Sequence, residues 1–261
     1  MNYLRLIWIY VRLGALGELQ YRANFFIQLI DSFVKIGAAL ATLTVIYSHT
    51  DKLGDWTAVQ LCALLGVFFI VGGAINMVLE PSMVRLMQDV RKGTLDFTLL
   101  KPEDSQLLVS FREFELWKLT DVVIGMVILA ISLWKLTEPV GIGQAVRFGA
   151  MLLAGGAIVY SFWLSLATLV FWFVKITNIL VIFESTYEAG RWPLVIYPGW
   201  LRVSLTFIVP VAVAVSIPAE ALVGRLDRQT LWIAIGAAVA SLVLSRLFWT
   251  IGVRHYSGAS A

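Results

Sequence analysis

The chain has 261 residues, 59% of them hydrophobic, and its mean hydropathy is +0.84. Only 14% are Asp, Glu, Lys or Arg, too few to cover a water-soluble globule, so the solvent is lipid. The net charge of +3 does not point to nucleic acid, because basic residues in a membrane chain mainly report topology. One cysteine, Cys62, excludes an intrachain disulfide and a cysteine-based metal cluster.

The N-terminal stretch is apolar but interrupted. Arg5 and Arg12 lie seven apart on one helical face, and Gly14 and Gly17 weaken deep insertion. The pattern predicts a helix over residues 1–22 lying in the inner membrane interface. It has no small-residue cleavage site and does not read as a secretory signal.

Continuous apolar runs follow at Phe25–Tyr47, Ala58–Leu79, Leu119–Trp134, Gly149–Phe173, Leu201–Val215 and Leu231–Ile251. A spanning helix needs about 17–25 such residues, whereas a spanning strand alternates over about ten. The expectation is an all-α membrane protein with six transmembrane helices in a single domain over residues 1–261. Runs three and five are short, which leaves five spans plus a re-entrant segment as the alternative.

The first run carries Gln28, Asp31 and Lys35. Asp31 and Lys35 are one helical turn apart and can pair. A charge in hydrocarbon is costly unless paired or facing water. These residues therefore line a translocation route, meet a second subunit, or simply satisfy one another.

Between the second and third runs, Pro81 suits a first helical turn and Gly93 a C-terminal stop. Met83, Leu86, Met87 and Val90 recur on one face, with Arg85, Gln88, Asp89 and Lys92 off it. This predicts a separate amphipathic helix over 81–92 on the cytoplasmic side, which either floats in the interface or docks a partner. Thr94–Leu99 alternates polar and apolar residues and reads as an extended strip ending at Lys101-Pro102. Leu107–Lys118 reads as a helix approaching the membrane obliquely, with Asp121 just inside the third span.

Lys175–Arg202 is punctuated by Pro and Gly and reads as a solvated inner connector. Glu184 and Glu188 share a helical face there, without a His or metal-ligand partner at useful spacing. In Ser216–Leu222, Pro218 is expected to break the helix, and Glu220 sits in an apolar run. The pattern predicts an outer re-entrant segment over 216–226, with a plain loop as the alternative. In the last run Gly236 and Ala240 form a small-xxx-small face.

With the N-terminus inside, the inner segments hold about fourteen of the 20 Lys and Arg and the outer ones about five, which places both termini in the cytoplasm. Trp56, Trp134, Trp200 and Trp249 fall near span ends, as interfacial anchors do. No Walker A loop, zincin helix or Gly-x-Ser-x-Gly elbow occurs. His49 and His255 are predicted on opposite sides. An energy-consuming function must therefore be driven by a partner or an ion gradient.

Three strings stand out. They are Tyr21-Arg22-Ala23-Asn24; Arg91-Lys92-Gly93-Thr94-Leu95-Asp96-Phe97 with Leu100-Lys101-Pro102; and Tyr187-Glu188-Ala189-Gly190-Arg191-Trp192-Pro193 through Ile196-Tyr197-Pro198-Gly199-Trp200-Leu201-Arg202. With Tyr256-Ser257-Gly258-Ala259-Ser260 and the order of elements, the chain resembles the ABC-2-type permease family, and more narrowly one bacterial branch of it.

The resemblance implies a membrane subunit of an ATP-driven exporter in the bacterial cytoplasmic (inner) membrane. It implies a second permease, identical or related, and separate ABC-type ATPase subunits that hold ATP and Mg. This chain would bind no cofactor, and its surroundings would be membrane lipid. The family's coupling helix would fall on Pro81–Lys92, with Met83, Arg85, Leu86, Met87, Gln88 and Asp89 as coupling residues. Gln28, Asp31, Lys35 and Glu220 would be pathway or dimer-interface residues, and none is catalytic. The substrate is not named, though an apolar pathway favours lipid-like or amphipathic cargo. Two other functions fit the residues: an ion-coupled secondary transporter with Asp31, Lys35 or Glu220 as relay, and a non-transporting membrane scaffold.

Overall fold

The computed structural model describes residues 3–20, 22–136, 140–173 and 178–256. Met1, Asn2 and Tyr21 of the expected interfacial helix and first string, Lys175 of the connector, and Ser257–Ser260 of the last string lie outside the described residues, as do the side chains of Arg5 and Glu184.

Among the described residues the chain is helical, with one isolated bridge between Leu53 and Trp56. In chain order the helices are α1 (Tyr3–Gln20), α2 (Arg22–Tyr47), α3 (Ala58–Ala74), α4 (Glu80–Lys92), α5 (Asp96–Leu99), α6 (Ser105–Ser110), α7 (Leu119–Lys135), α8 (Ile142–Thr168), α9 (Asn178–Tyr187), α10 (Gly199–Val203), α11 (Ile217–Leu222) and α12 (Arg228–His255). Among the described residues five stretches are long and apolar enough to cross a membrane: Phe25–Tyr47, Ala58–Lys92, Leu116–Lys135, Ile142–Phe171 and Arg228–His255.

The centre is the α3–α7 pair. A Cβ on Gly66 would lie 2.9 Å from the Gly125 carbonyl oxygen, and one on Gly125 2.8 Å from that of Gly66. Only glycine at both positions lets the two backbones meet this closely. α8 and α12 run in the same direction. They pack through Met151 and Ala154 against Ala234 and Ala238 near their starts, and through Gly252 against Thr168 near their ends. α2 is attached more loosely. It buries one stripe, Ser32, Ile36, Ala39 and Leu43, while Ile27, Ile30, Phe33 and Val34 are exposed.

The bundle has two unlike ends. At the upper end, where α3, α8 and α12 start, Arg225 donates to the Asp55 carbonyl and Gln60 Oε1. Thr57 and Gln60 form a capping box on α3. At the lower end lie α4, α5, α6 and the last turns of α12. α1 also packs there, with Gly14 close against the Phe114 carbonyl.

Several expectations fail for identifiable reasons. The 81–92 helix is not separate: a π-helical stretch, Ile75–Leu79, joins α3 to α4 in one 35-residue helix. Pro81 follows directly on that π-helical stretch, where the backbone ladder already departs from the α-helical pattern and can spare its missing N–H. Gly93 does stop the helix, at φ +70°, and the Thr94 N–H caps the Asp89 carbonyl. Thr94–Leu99 is not extended, because Asp96–Leu99 closes a helical turn. Leu107–Lys118 is only partly helical, with α6 ending at Ser110 and a 3-10 turn at Leu116–Lys118.

The fifth run is not one helix. It breaks at Val209, which is extended (φ −121°, ψ 100°), as a residue preceding proline tends to be. Beyond Pro210 the chain is helical again over Ala212–Leu222. Pro218 does not break that helix, because it sits in the first turn of α11, just after a π-helical stretch. The described part of the expected connector, residues 178–202, is not confined to the surface either. Tyr187 is buried, stacks on Phe68 at 4.8 Å and donates to the Phe68 carbonyl in mid-α3. Gly190 allows Val211 close beside it, and Val195 reaches Gly54 at the upper end.

Candidate functional site

The lower end holds a polar platform centred on Asp89. Its side chain is 2% exposed and accepts from Arg112 and, at 2.8 Å, from Thr94 Oγ1. Arg85, one turn earlier, lies 3.3 Å from the same carboxylate and 3.7 Å from Glu113. Arg112 also donates to Thr98 Oγ1 at 3.0 Å. α4, α5 and the 111–115 segment are thereby tied together. A buried carboxylate needs such partners, since isolated it would cost several kcal/mol. The Ser82 hydroxyl donates to the Glu113 carbonyl, and the Glu115 N–H donates to the Met77 carbonyl inside the π-helical stretch.

A second set ties α6 to α8 and α12. Arg246 donates to Asp104 and to Gln106 Oε1, both at 2.9 Å from Nη1. Gln106 donates to Tyr160 Oη at 3.0 Å, Ser110 lies 2.9 Å from the same oxygen, and Trp249 donates to Ser105. Asp104 also caps α6, accepting from the N–H groups of Gln106 and Leu107. Arg246 above all, and these backbone bonds, hold the Asp104 carboxyl below the usual carboxylate range. Nearby, burial and then the Asp96 charge push the Tyr256 phenol up.

This platform carries an exposed apolar tip. Phe97 is 72% and Leu100 82% exposed, beside exposed Lys101 and Pro102. It is the part of the 80–118 region that presents large apolar side chains outward most fully.

The expected coupling residues divide. Met83, Leu86 and Met87 are buried within the protomer, as is Asp89, while Arg85 and Gln88 are half-buried. The apolar face of α4 is therefore covered by the chain's own α6 and α8. Asp31 and Lys35 do pair, at 2.7 Å, with side chains 45% and 51% exposed. Asp121 and Glu188 lie within electrostatic reach of Lys35, so α2, α7 and the start of the 188–191 turn bring charges to one region; Glu188 is itself paired with Arg191. Gln28 is half-buried one turn below Asp31. Glu220 is half-buried on α11, remote from that group, with Arg225 as its nearest cation. Among the described residues no cluster of His, Cys, Asp and Glu could hold a metal ion.

Sequence reasoning missed Arg112, Tyr160 and Arg246, whose partners are remote in sequence. Asp104 was findable, since Asp-Ser-Gln before an apolar pair is a helix-start pattern.

Residues 33–260 match the model of the ABC-2 family transporter proteins. The chain belongs to that family. No curated protein and no solved structure matches it. The ABC-2 protein is thus a multi-pass membrane transport component. The match takes in the platform, the tip, Lys35 and Glu220, and begins just beyond Gln28 and Asp31.

Proposed function

We propose that this ABC-2 protein is the permease subunit of an ATP-binding-cassette exporter of the bacterial inner membrane, driven by separate ATPase subunits that bind ATP and Mg. The observation that carries this reading is the continuity of Ala58–Lys92. Its 35 residues give a helix about 52 Å long, against about 30 Å of hydrocarbon. Its last turns therefore project beyond the bilayer as a cross-braced lever. The exposed Phe97–Lys101 tip, with Arg85 and Gln88 behind it, is where an ATPase would seat. Asp89 and the buried Met83, Leu86 and Met87 would transmit force rather than dock. Through Asp104, Gln106 and Ser105 the same platform grips α8 and α12, so motion of the tip reaches two further helices.

In this reading the chain crosses six times. Five crossings are the long helices, and the sixth is the broken segment 178–198, supported by the contact of Val195 with Gly54. Both termini are then at the lower, cytoplasmic end, with α1 in the interface. Residues 199–222 form an outer re-entrant hairpin turning at Val209-Pro210, larger than the 216–226 segment, with Glu220 near its outer end. A second permease meets the exposed face of α2, which places Gln28, Asp31 and Lys35 beside the pathway.

Co-expression with a cognate ABC-type ATPase tests the proposal. A stable complex whose ATP hydrolysis depends on this chain is the expected result. Transport that persists without the ATPase and follows an ion gradient would replace it with the secondary-transporter reading.

A further inference from the structure

A cleft of about 490 Å³ runs along the seam between α8 and α12, floored by the broken helix at Pro210 and Val213. It lies on the side of the seam away from Arg246 and the platform, as the helical positions of Ile233, Ala237, Ser241 and Leu244 require. Along α12 it extends from Thr230 to Ser245, about 22 Å at the helical rise.

Its walls are apolar in effect. The hydroxyls of Ser161, Ser165 and Thr206 each donate to a carbonyl four residues back, and those of Ser241 and Ser245 to a carbonyl three back, so none is left needing a ligand. On the α12 wall Ile233, Ala237 and Leu244 are exposed, so the mouth opens sideways between two helices long enough to span a membrane.

Charge selects the occupant. The three wall segments, 142–173, 199–217 and 228–256, contain no Asp or Glu. Their ionised residues are arginines: Arg147, Arg202, Arg228 and Arg254 near the ends, and Arg246, which is already paired with Asp104. One turn below Leu244, Phe248 stacks on Trp172 at 5.3 Å, and Trp172 packs against His255. Aromatics followed by cations are the signature of a headgroup level, and a long arginine side chain can reach a phosphate from there.

We propose that this cleft binds a bilayer lipid: one acyl chain of an anionic phospholipid of the lower leaflet lies along the seam, with its phosphate beside Arg254 and His255. The site goes beyond the exporter reading and needs no ATPase.

The test uses the full chain in nanodiscs with phosphatidylglycerol carrying a photoreactive group on its acyl chain, followed by peptide mapping. Labelling should concentrate on residues 158–165 and 233–245. Ala237→Trp, which fills the exposed mouth, should lower it about tenfold, the equivalent of about two buried methylenes. Arg254→Gln should remove the preference over a matched phosphatidylcholine probe. Equal labelling of the exposed α2 face around Ile30 and Phe33, or no effect of Ala237→Trp, would overturn the cleft assignment. Equal labelling by the two lipids would overturn the anionic one. Because ATPase association is a separate measurement, these failures would leave the permease reading standing.

Discussion

Two ion pairs in this protein share the same local spacing and have opposite surroundings. Asp31 and Lys35 pair across one turn of α2 with both side chains about half exposed. Arg85 and Asp89 are also one turn apart, on α4, but Asp89 is 2% exposed and gains Arg112 and Thr94 as further partners. The difference lies in what packs around them. α2 offers only a thin buried stripe, whereas α4 is enclosed by α6, α8 and the returning 111–115 segment. Spacing predicts that a pair forms; tertiary burial decides whether the fold depends on it.

The largest effect should come from Met87→Asp. The site is 1% exposed, so the new carboxylate would be buried without a partner, costing several kcal/mol. We expect loss of folded protein, read as failure to elute as a single species in detergent, rather than selective uncoupling. Asp89→Ala should come next. It leaves Arg112 without its carboxylate, at about 3 kcal/mol after allowing for the partial exposure of the guanidinium. A thermal melt in detergent measures it, and a shift no larger than that of an exposed-site control would remove Asp89 from the centre of the platform.

Asp104→Asn should cost about 1 kcal/mol, because the Arg246 pair is partly exposed and screened. Here pH gives a second handle. The native carboxyl lies below its ordinary value of 3.8, so the pair contributes fully above that value and fades as pH falls through the lower native one. Wild-type and Asp104→Asn melts should therefore differ at pH 7 and converge on acidification. A gap that widens toward low pH would reverse the sign of the argument.

The smallest effect belongs to Asp31 and Lys35. With both side chains reaching water on the pathway side, as the proposed function has it, a double-mutant cycle with Asp31→Asn and Lys35→Met should give a coupling of at most about 0.5 kcal/mol. A coupling as large as that of Asp89 with Arg112 would erase the contrast between the two pairs.

Much of this was legible in the sequence, and the failures follow a pattern. Long apolar runs gave the helical class and, in five of the six cases, a long helix close to the expected place. Gly93 gave a helix end because its left-handed backbone position disfavours other residues. The amphipathic face over Met83, Leu86 and Met87 is real, but periodicity cannot say whether it is covered by the chain itself or by a partner. Val209-Pro210 carries a local break signal, whereas Pro218 leaves its helix intact. Only the preceding π-helical stretch, set by packing against α8, made Pro218 harmless. Burial of Tyr187 was hidden because Pro and Gly disrupt any period in 178–198, and its partner Phe68 is 119 residues away.

The central claim is that a separate ATPase seats on the lower platform at the Phe97–Lys101 tip. A photo-crosslinking residue placed at Leu100, with a control at Asp55 on the upper end, tests it most directly in cells that also produce the cognate ATPase. The account predicts a nucleotide-sensitive cross-link to the ATPase from position 100 and none from 55. A cross-link from position 55, or none from 100 in a complex that still hydrolyses ATP, would contradict it.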